Sequence, residues 1–269
     1  MEDCTWDERD VPLVQRGVRF GWLYNFLDDL VHEANAFFER MWDEYRSADR
    51  AAMYGPWNIP TPEVPPYRED AAEGLRITRN LVSDIIVPIT ASIGAPLYAR
   101  VAVEHRGPPD VFISHTWSSM AFVDAHGSLN MLLDRYRDSF VWIDFVGYNQ
   151  HCVKPKSILK DMEDIISGIG RVAFTLTREP FFTRSWCLWE IVCSYRVGAK
   201  VDVCENILRI KRKYWASEAV LLPPRFTSVA DLQATNESDR EMIFEQLVST
   251  FGSVDQADEY VRGILPKQW

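Results

Sequence analysis

Between Asp110 and Asn206 the chain alternates short, unbroken apolar runs with longer stretches of helical periodicity. The runs are DVFISH (110–115), SFVWID (139–144), RVAFTLT (171–177) and AKVDVC (199–204). A strand with one wet face alternates apolar and polar residues, whereas an unbroken apolar strand is covered on both faces. The interleaved stretches are SSMAFVDAHGSLNMLLDRYRD, KSILKDMEDIISG and TRSWCLWEIVCSYRVG, and glycines at 168 and 198 read as stops of the last two. Gly127 weakens the middle of the first. Strand, helix, strand in this rhythm predicts an α/β domain with a parallel, doubly wound, flavodoxin-like sheet.

The flanks read differently. In 17–50, apolar residues at Leu23, Phe26, Leu27, Leu30, Ala34, Phe37, Phe38 and Met41 recur at helical spacing, which predicts one long amphipathic helix. GPWNIPTPEVPPY follows, with five prolines from Pro56 to Pro66, and reads as an extended connector. LRITRNLVSDIIVPITASIG predicts a second helix that Pro88 kinks or ends, and GPP at 107–109 marks a boundary. The division is therefore a helical N-terminal region, 1–107, and an α/β domain, 108–269. The latter includes C-terminal helices in ADLQATNESDREMIFEQLVSTFG and VDQADEYVRGIL, the first capped by Ser228 or Asp231.

Charge narrows the partners. With 39 acidic against 29 Lys and Arg residues the net charge is −10, the wrong sign for wrapping a nucleic-acid backbone. The tight basic run Arg209, Lys211, Arg212 and Lys213 reads as a solvated face. The five cysteines form no C-x-x-C pair, and their odd number shows neither metal-ligand spacing nor a disulfide framework. MEDCTWDERD is not a signal peptide, and no apolar run is long enough to span a membrane. These features predict a cytoplasmic protein.

In an open parallel sheet ligands bind beyond the carboxyl ends of the strands. The strand-end groups are Ser114, His115, Thr116 and Trp117, then Asp144, Phe145 and the loop GYNQH, then Thr177 to Thr183. Ser114, His115 and Asp144 make a poor nucleophilic triad, since neighbouring strand residues point to opposite faces. Cys187 reads as a small buried thiol. On a helical wheel Leu188, Ile191, Val192 and Tyr195 share one arc that faces the sheet. Trp186 and Glu190, four apart, stack on the other side, so the wheel predicts that Glu190 stays out of the core. Neither a Gly-rich nucleotide loop nor a G-x-S-x-G elbow occurs in the sequence.

DVFISH, VWID and TLTREPFFTRSWCLWEI, in that order, resemble a Toll/interleukin-1 receptor (TIR) domain, especially the enzymatic kind. The match covers about 95 residues, with Asp110 to Ser114 on the D-x-F-I-S strand and Ser185 to Ile191 on the S-x-W-C-x-x-E helix. The resemblance implies a flavodoxin-like sheet and cleavage of the nicotinamide–ribose bond of NAD+, releasing ADP-ribose or a cyclic isomer, in defence or cell-death signalling. It implies NAD+ as substrate with no metal or other cofactor, and self-association through this domain. Glu190 falls on the catalytic glutamate and Trp186 on the tryptophan that walls the site. Ser114, His115, Trp117, Asp144 and Phe145 fall at the substrate end of the sheet. The loop FVGYNQHCVKPKS departs from the family's acidic pattern, carrying Asn149, Gln150 and His151. Two other classes of function stay open: a catalytically silent TIR-type interaction module, and an N-glycosidase or transferase on another nucleotide or nucleoside.

Overall fold

The computed structural model describes residues 11–30, 33, 78–117, 130–152, 157–176, 181–205 and 226–265. The proline-rich connector, the basic run, Thr177 to Pro180, and the predicted helical residues at 34–50 and 118–129 lie outside them.

Six strands form one mixed sheet: β1 Gly17–Arg19, β2 Arg106–Gly107, β3 Val111–Ser114, β4 Phe140–Trp142, β5 Arg171–Leu176 and β6 Lys200–Glu205, in the order β2-β1-β4-β3-β5-β6. The last four in that order run parallel to one another. β1 is antiparallel to both β2 and β4. The chain thus steps from β3 to β4 on one side and returns past β3 to β5 on the other. Strand order reverses between β3 and β5, and a crevice opens at such a reversal.

Among the described residues, eight helices lie against the sheet besides short 3-10 turns. α1 starts at 20 and is described to 30. α2 comprises Thr78–Leu81, a π-turn Val82–Ile86 and Val87–Thr90. The others are α3 Asn130–Tyr136, α4 Asp144–Gly147, α5 Ile158–Ile169, α6 Ser185–Arg196, α7 Glu237–Phe251 and α8 Val254–Ile264. Val111, Ile113, Val141, Ile143 and Ala173 bury against α1, α2 and α3. Phe112, Trp142, Val172 and Phe174 point the other way, into α5, α6, α7 and α8. Both faces are dry, so the strands needed no polar alternation.

Several expectations change. GVR, inside the stretch read as helix, supplies β1: Val18 is fully buried and pairs with Val141, so sheet contacts decide these residues and the helix starts at Phe20. Pro88 does not end α2, because the π-turn before it absorbs the missing backbone donor. α5 runs through Gly168 and stops at Gly170, whose φ of 70° suits a residue without a side chain. Ser228 caps only a 3-10 turn, Val229–Asp231, whereas Asn236 caps α7 by accepting from Ser238 N–H. Cys152 is disulfide-bonded, against the expectation of unpaired cysteines, while Cys187, Cys193 and Cys204 are free.

α6 departs most from the wheel. Every residue from Cys187 to Ser194 is buried, Glu190 included at 6% exposure, while Tyr195, assigned to the core arc, is 40% exposed. The cause is that α6 is sandwiched: the sheet and α5 lie against it, and α7 and α8 close the side that the wheel left to solvent. Trp189 is 1% exposed and gives its indole N–H to Leu159 O on α5 at 3.3 Å. Burying such a side chain contributes about 1.5–3 kcal/mol. Among the described residues no helix is long and apolar enough to cross a membrane.

Candidate functional site

Ser114 ends β3 at the strand-order reversal, with its side chain on the α6 side of the sheet. Its hydroxyl donates to Glu190 Oε2. Thr175 on β5 fixes the same turn by donating its hydroxyl to Ser114 O at 3.1 Å. One residue on, the His115 ring meets Phe145 edge to face, centroids 5.7 Å apart. Strand alternation thus separates Ser114 from His115, and the imagined triad does not assemble. The serine's proton goes to a carboxylate.

A cavity of about 580 Å³ opens over these strand ends, within the range of about 300–1,000 Å³ typical of small-molecule sites. Glu190, His115, Trp117, Asp144 and Trp186 line it. Ser114 and Phe145 do not. Both are fully buried behind it, Ser114 holding Glu190 and Phe145 backing His115. Five of the seven sequence-predicted site residues therefore reach the cavity, and the other two brace them.

Two indoles stand in the wall, each tethered to an aspartate. Trp117 Nε1–H donates to Asp144 Oδ2 at 2.6 Å, and Phe145 N–H donates to Asp144 Oδ1 at 2.7 Å. Trp186 Nε1–H donates to Asp239 Oδ2 at 2.9 Å, which ties the start of α6 to the first turn of α7. Tethered rings with apolar faces can stack on a planar heterocycle.

The electrostatics follow from burial. Removal from water pushes the Glu190 carboxyl well above the usual carboxylate range; the Ser114 hydrogen bond opposes this, and the nearby Asp144 charge adds to it. Burial lowers the His115 imidazole, and Asp144 partly offsets that. Its Nε2 is buried without a hydrogen-bond partner among the described residues, and a neutral ring in that state can serve an incoming polar group. Burial also raises the Cys187 thiol, which donates to His115 O at 3.5 Å, so it is no activated nucleophile.

No protein-family model, curated protein or solved structure matches this chain.

The loop GYNQH, named among the strand-end groups, reaches the cavity with Tyr148, Asn149 and Gln150, whereas Leu13 and the far wall were not foreseen. Gly147 sits under the Trp142 ring, where a Cβ would come within 2.9 Å of the indole, and its carbonyl accepts from Arg16 Nη1 at 2.8 Å. Leu13 reaches the cavity from the N-terminal segment, and its carbonyl accepts the Trp142 indole N–H at 2.9 Å. Asn149 Nδ2 donates to Gly94 O at 2.8 Å, and His151 Nε2 meets Thr90 Oγ1 at 2.8 Å. These bonds fasten the loop after β4 to the end of α2. Arg184, Gln233, Thr235, Asn236 and Asp239 complete the far wall. Only one of these had a readable signal: Asn236 followed by Asp239 is a cap-then-acid spacing that marks a helix start.

Proposed function

We propose that this chain is a TIR-type NAD+ nucleosidase or ADP-ribosyl cyclase. It breaks the nicotinamide–ribose bond in the cytoplasm, within a defence or cell-death pathway, and self-associates through its α/β domain. The observation that carries this reading is the Ser114–Glu190 pair at the strand-order reversal, facing a cavity walled by two tethered indoles. The order of the four parallel strands, second-first-third-fourth in chain sequence, is the one expected of a flavodoxin-like TIR fold and supports it.

The chemistry suits the groups. The glycosidic C–N bond breaks with its electron pair going to the pyridinium nitrogen, so nicotinamide leaves neutral and positive charge develops on the ribose. Water then adds at C1′ and releases a proton, giving ADP-ribose; attack by an adenine nitrogen of the same molecule gives the cyclic isomer. Glu190, oriented by Ser114, holds the ribose hydroxyls and stabilises the developing charge. The resting site favours its proton, and a cationic nicotinamide ring entering the cavity draws it toward the carboxylate. Trp117 and Trp186 wall the aromatic rings.

The test follows nicotinamide release from NAD+ by concentrated, purified protein. Glu190→Ala is expected to lower kcat by about 10²–10³-fold, the scale of losing one preorganised electrostatic group. Absence of release from the unaltered protein, under conditions that promote assembly, would favour the interaction module instead. Release unchanged by the substitution would remove Glu190 from the site.

A further inference from the structure

Arg184 is the one Lys or Arg side chain lining the cavity among the described residues. It is half-buried and immediately precedes α6. Its backbone is held in place by a parallel bridge to Gln233, and Nη2 donates to Thr235 Oγ1 at 2.8 Å. Other arginines of the α/β domain meet carboxylates: Arg135 and Arg171 both pair with Asp202 at 2.6 Å, Arg196 with Glu163 at 3.4 Å, Arg262 with Asp258 at 3.1 Å. Among the described residues Arg184 has no carboxylate partner, although Asp144, Asp161, Glu190 and Asp239 share its cavity. The indoles of Trp117 and Trp186 occupy two of those acids.

We infer that Arg184 is a specificity-determining residue that binds the diphosphate of a dinucleotide substrate in this cavity. The inference rests on the nucleosidase reading for the identity of the reaction, but not for the anion site itself. Arg184 and Glu190 are six positions apart, about 9 Å along the helix axis. That is the reach from a ribose held at Glu190 to the diphosphate on its 5′-oxygen. The N-terminus of α6 opens at the same place, and its Ser185, Trp186 and Cys187 line the cavity. A helix N-terminus favours an anion. The partnerless His115 Nε2 marks the same cavity as built to receive a polar ligand. A guanidinium fork with most of its donors unspent matches two phosphate oxygens side by side.

Two measurements test this. In the Glu190→Gln background, ADP and adenosine are titrated calorimetrically into proteins with and without Arg184→Ala. ADP affinity is expected to fall about 10- to 100-fold, the scale of a lost charged hydrogen bond, and adenosine affinity less than about twofold. In the Glu190-intact protein, the ratio of kcat/KM for NAD+ over nicotinamide riboside is expected to fall by a similar factor in Arg184→Ala. Arg184→Lys, which keeps the charge without the fork, should lie between. It also carries the test if the alanine variant melts early. ADP affinity unmoved by both substitutions, or equal losses for NAD+ and nicotinamide riboside, overturns the assignment. If NAD+ is not cleaved but ADP affinity still depends on Arg184, the anion site stands and the nucleosidase reading falls.

Discussion

Glu190 spends its burial on a proton. In the folded chain its carboxyl holds that proton more tightly than in the unfolded chain, because water is excluded and Asp144 is near. The linked stability is therefore fully present below the ordinary glutamate range and is lost as pH rises through the elevated folded value. Glu190→Gln keeps the shape without the ionisation, so it should melt above the parent at pH 8 and converge with it near pH 5. Each kcal/mol is worth about 2–4 °C in a chain this long. A gap independent of pH in thermal melts would remove ionisation as its cause. Ser114→Ala removes the one group that pulls the carboxyl back down. The rising limb of kcat/KM against pH should then move to higher pH, the opposite of what losing a mere spacer would do.

At the scale of elements, α7 matters more than its surface position suggests, because its first turn supplies Asp239 to Trp186. Asn236→Ala should cost about 1 kcal/mol through loss of the cap. It should also loosen Trp186, readable as a red shift of indole emission alongside the lower melting temperature. Here the legible and the illegible separate cleanly. VFIS, FVW, RVAFTL and the strand after Gly198 were readable because continuous apolar runs bounded by turn residues admit few other fates. Glu190 and Trp186 were readable as a pair because four-residue spacing on a helix is fixed geometry. β1 and β2, three and two residues long, lie below any periodicity signal; they exist because β4 offers Val18 an edge. The burial of Glu190 was illegible for a related reason: a wheel knows one helix, and α7 and α8 arrive from more than forty residues downstream. Trp189 and Cys193 on the supposedly wet side were the available warning that α6 is apolar nearly all round.

Across the whole molecule, Arg16 joins regions that the sequence divided at 107. It is fully buried and donates from Nε to Val11 O at 3.0 Å and from Nη1 to Gly147 O at 2.8 Å. Arg16→Ala strands the buried Gly147 carbonyl beside the cavity-lining Tyr148 and should destabilise by about 1–3 kcal/mol. Hydrogen exchange should rise most at residues 147–152, the loop that Asn149 and His151 otherwise fasten to α2. A uniform rise over the sheet would instead mark Arg16 as general support.

That wiring has a consequence for inheritance. The parallel strands carry Ser114, Asp144 and the approach to Glu190, and look like a unit that could be passed intact between proteins. Yet Leu13 walls the same cavity, and β1 flanks the strand that leads to Asp144. A shuffled copy of 108–269 alone would transfer the reacting groups and leave behind part of the vessel that holds them.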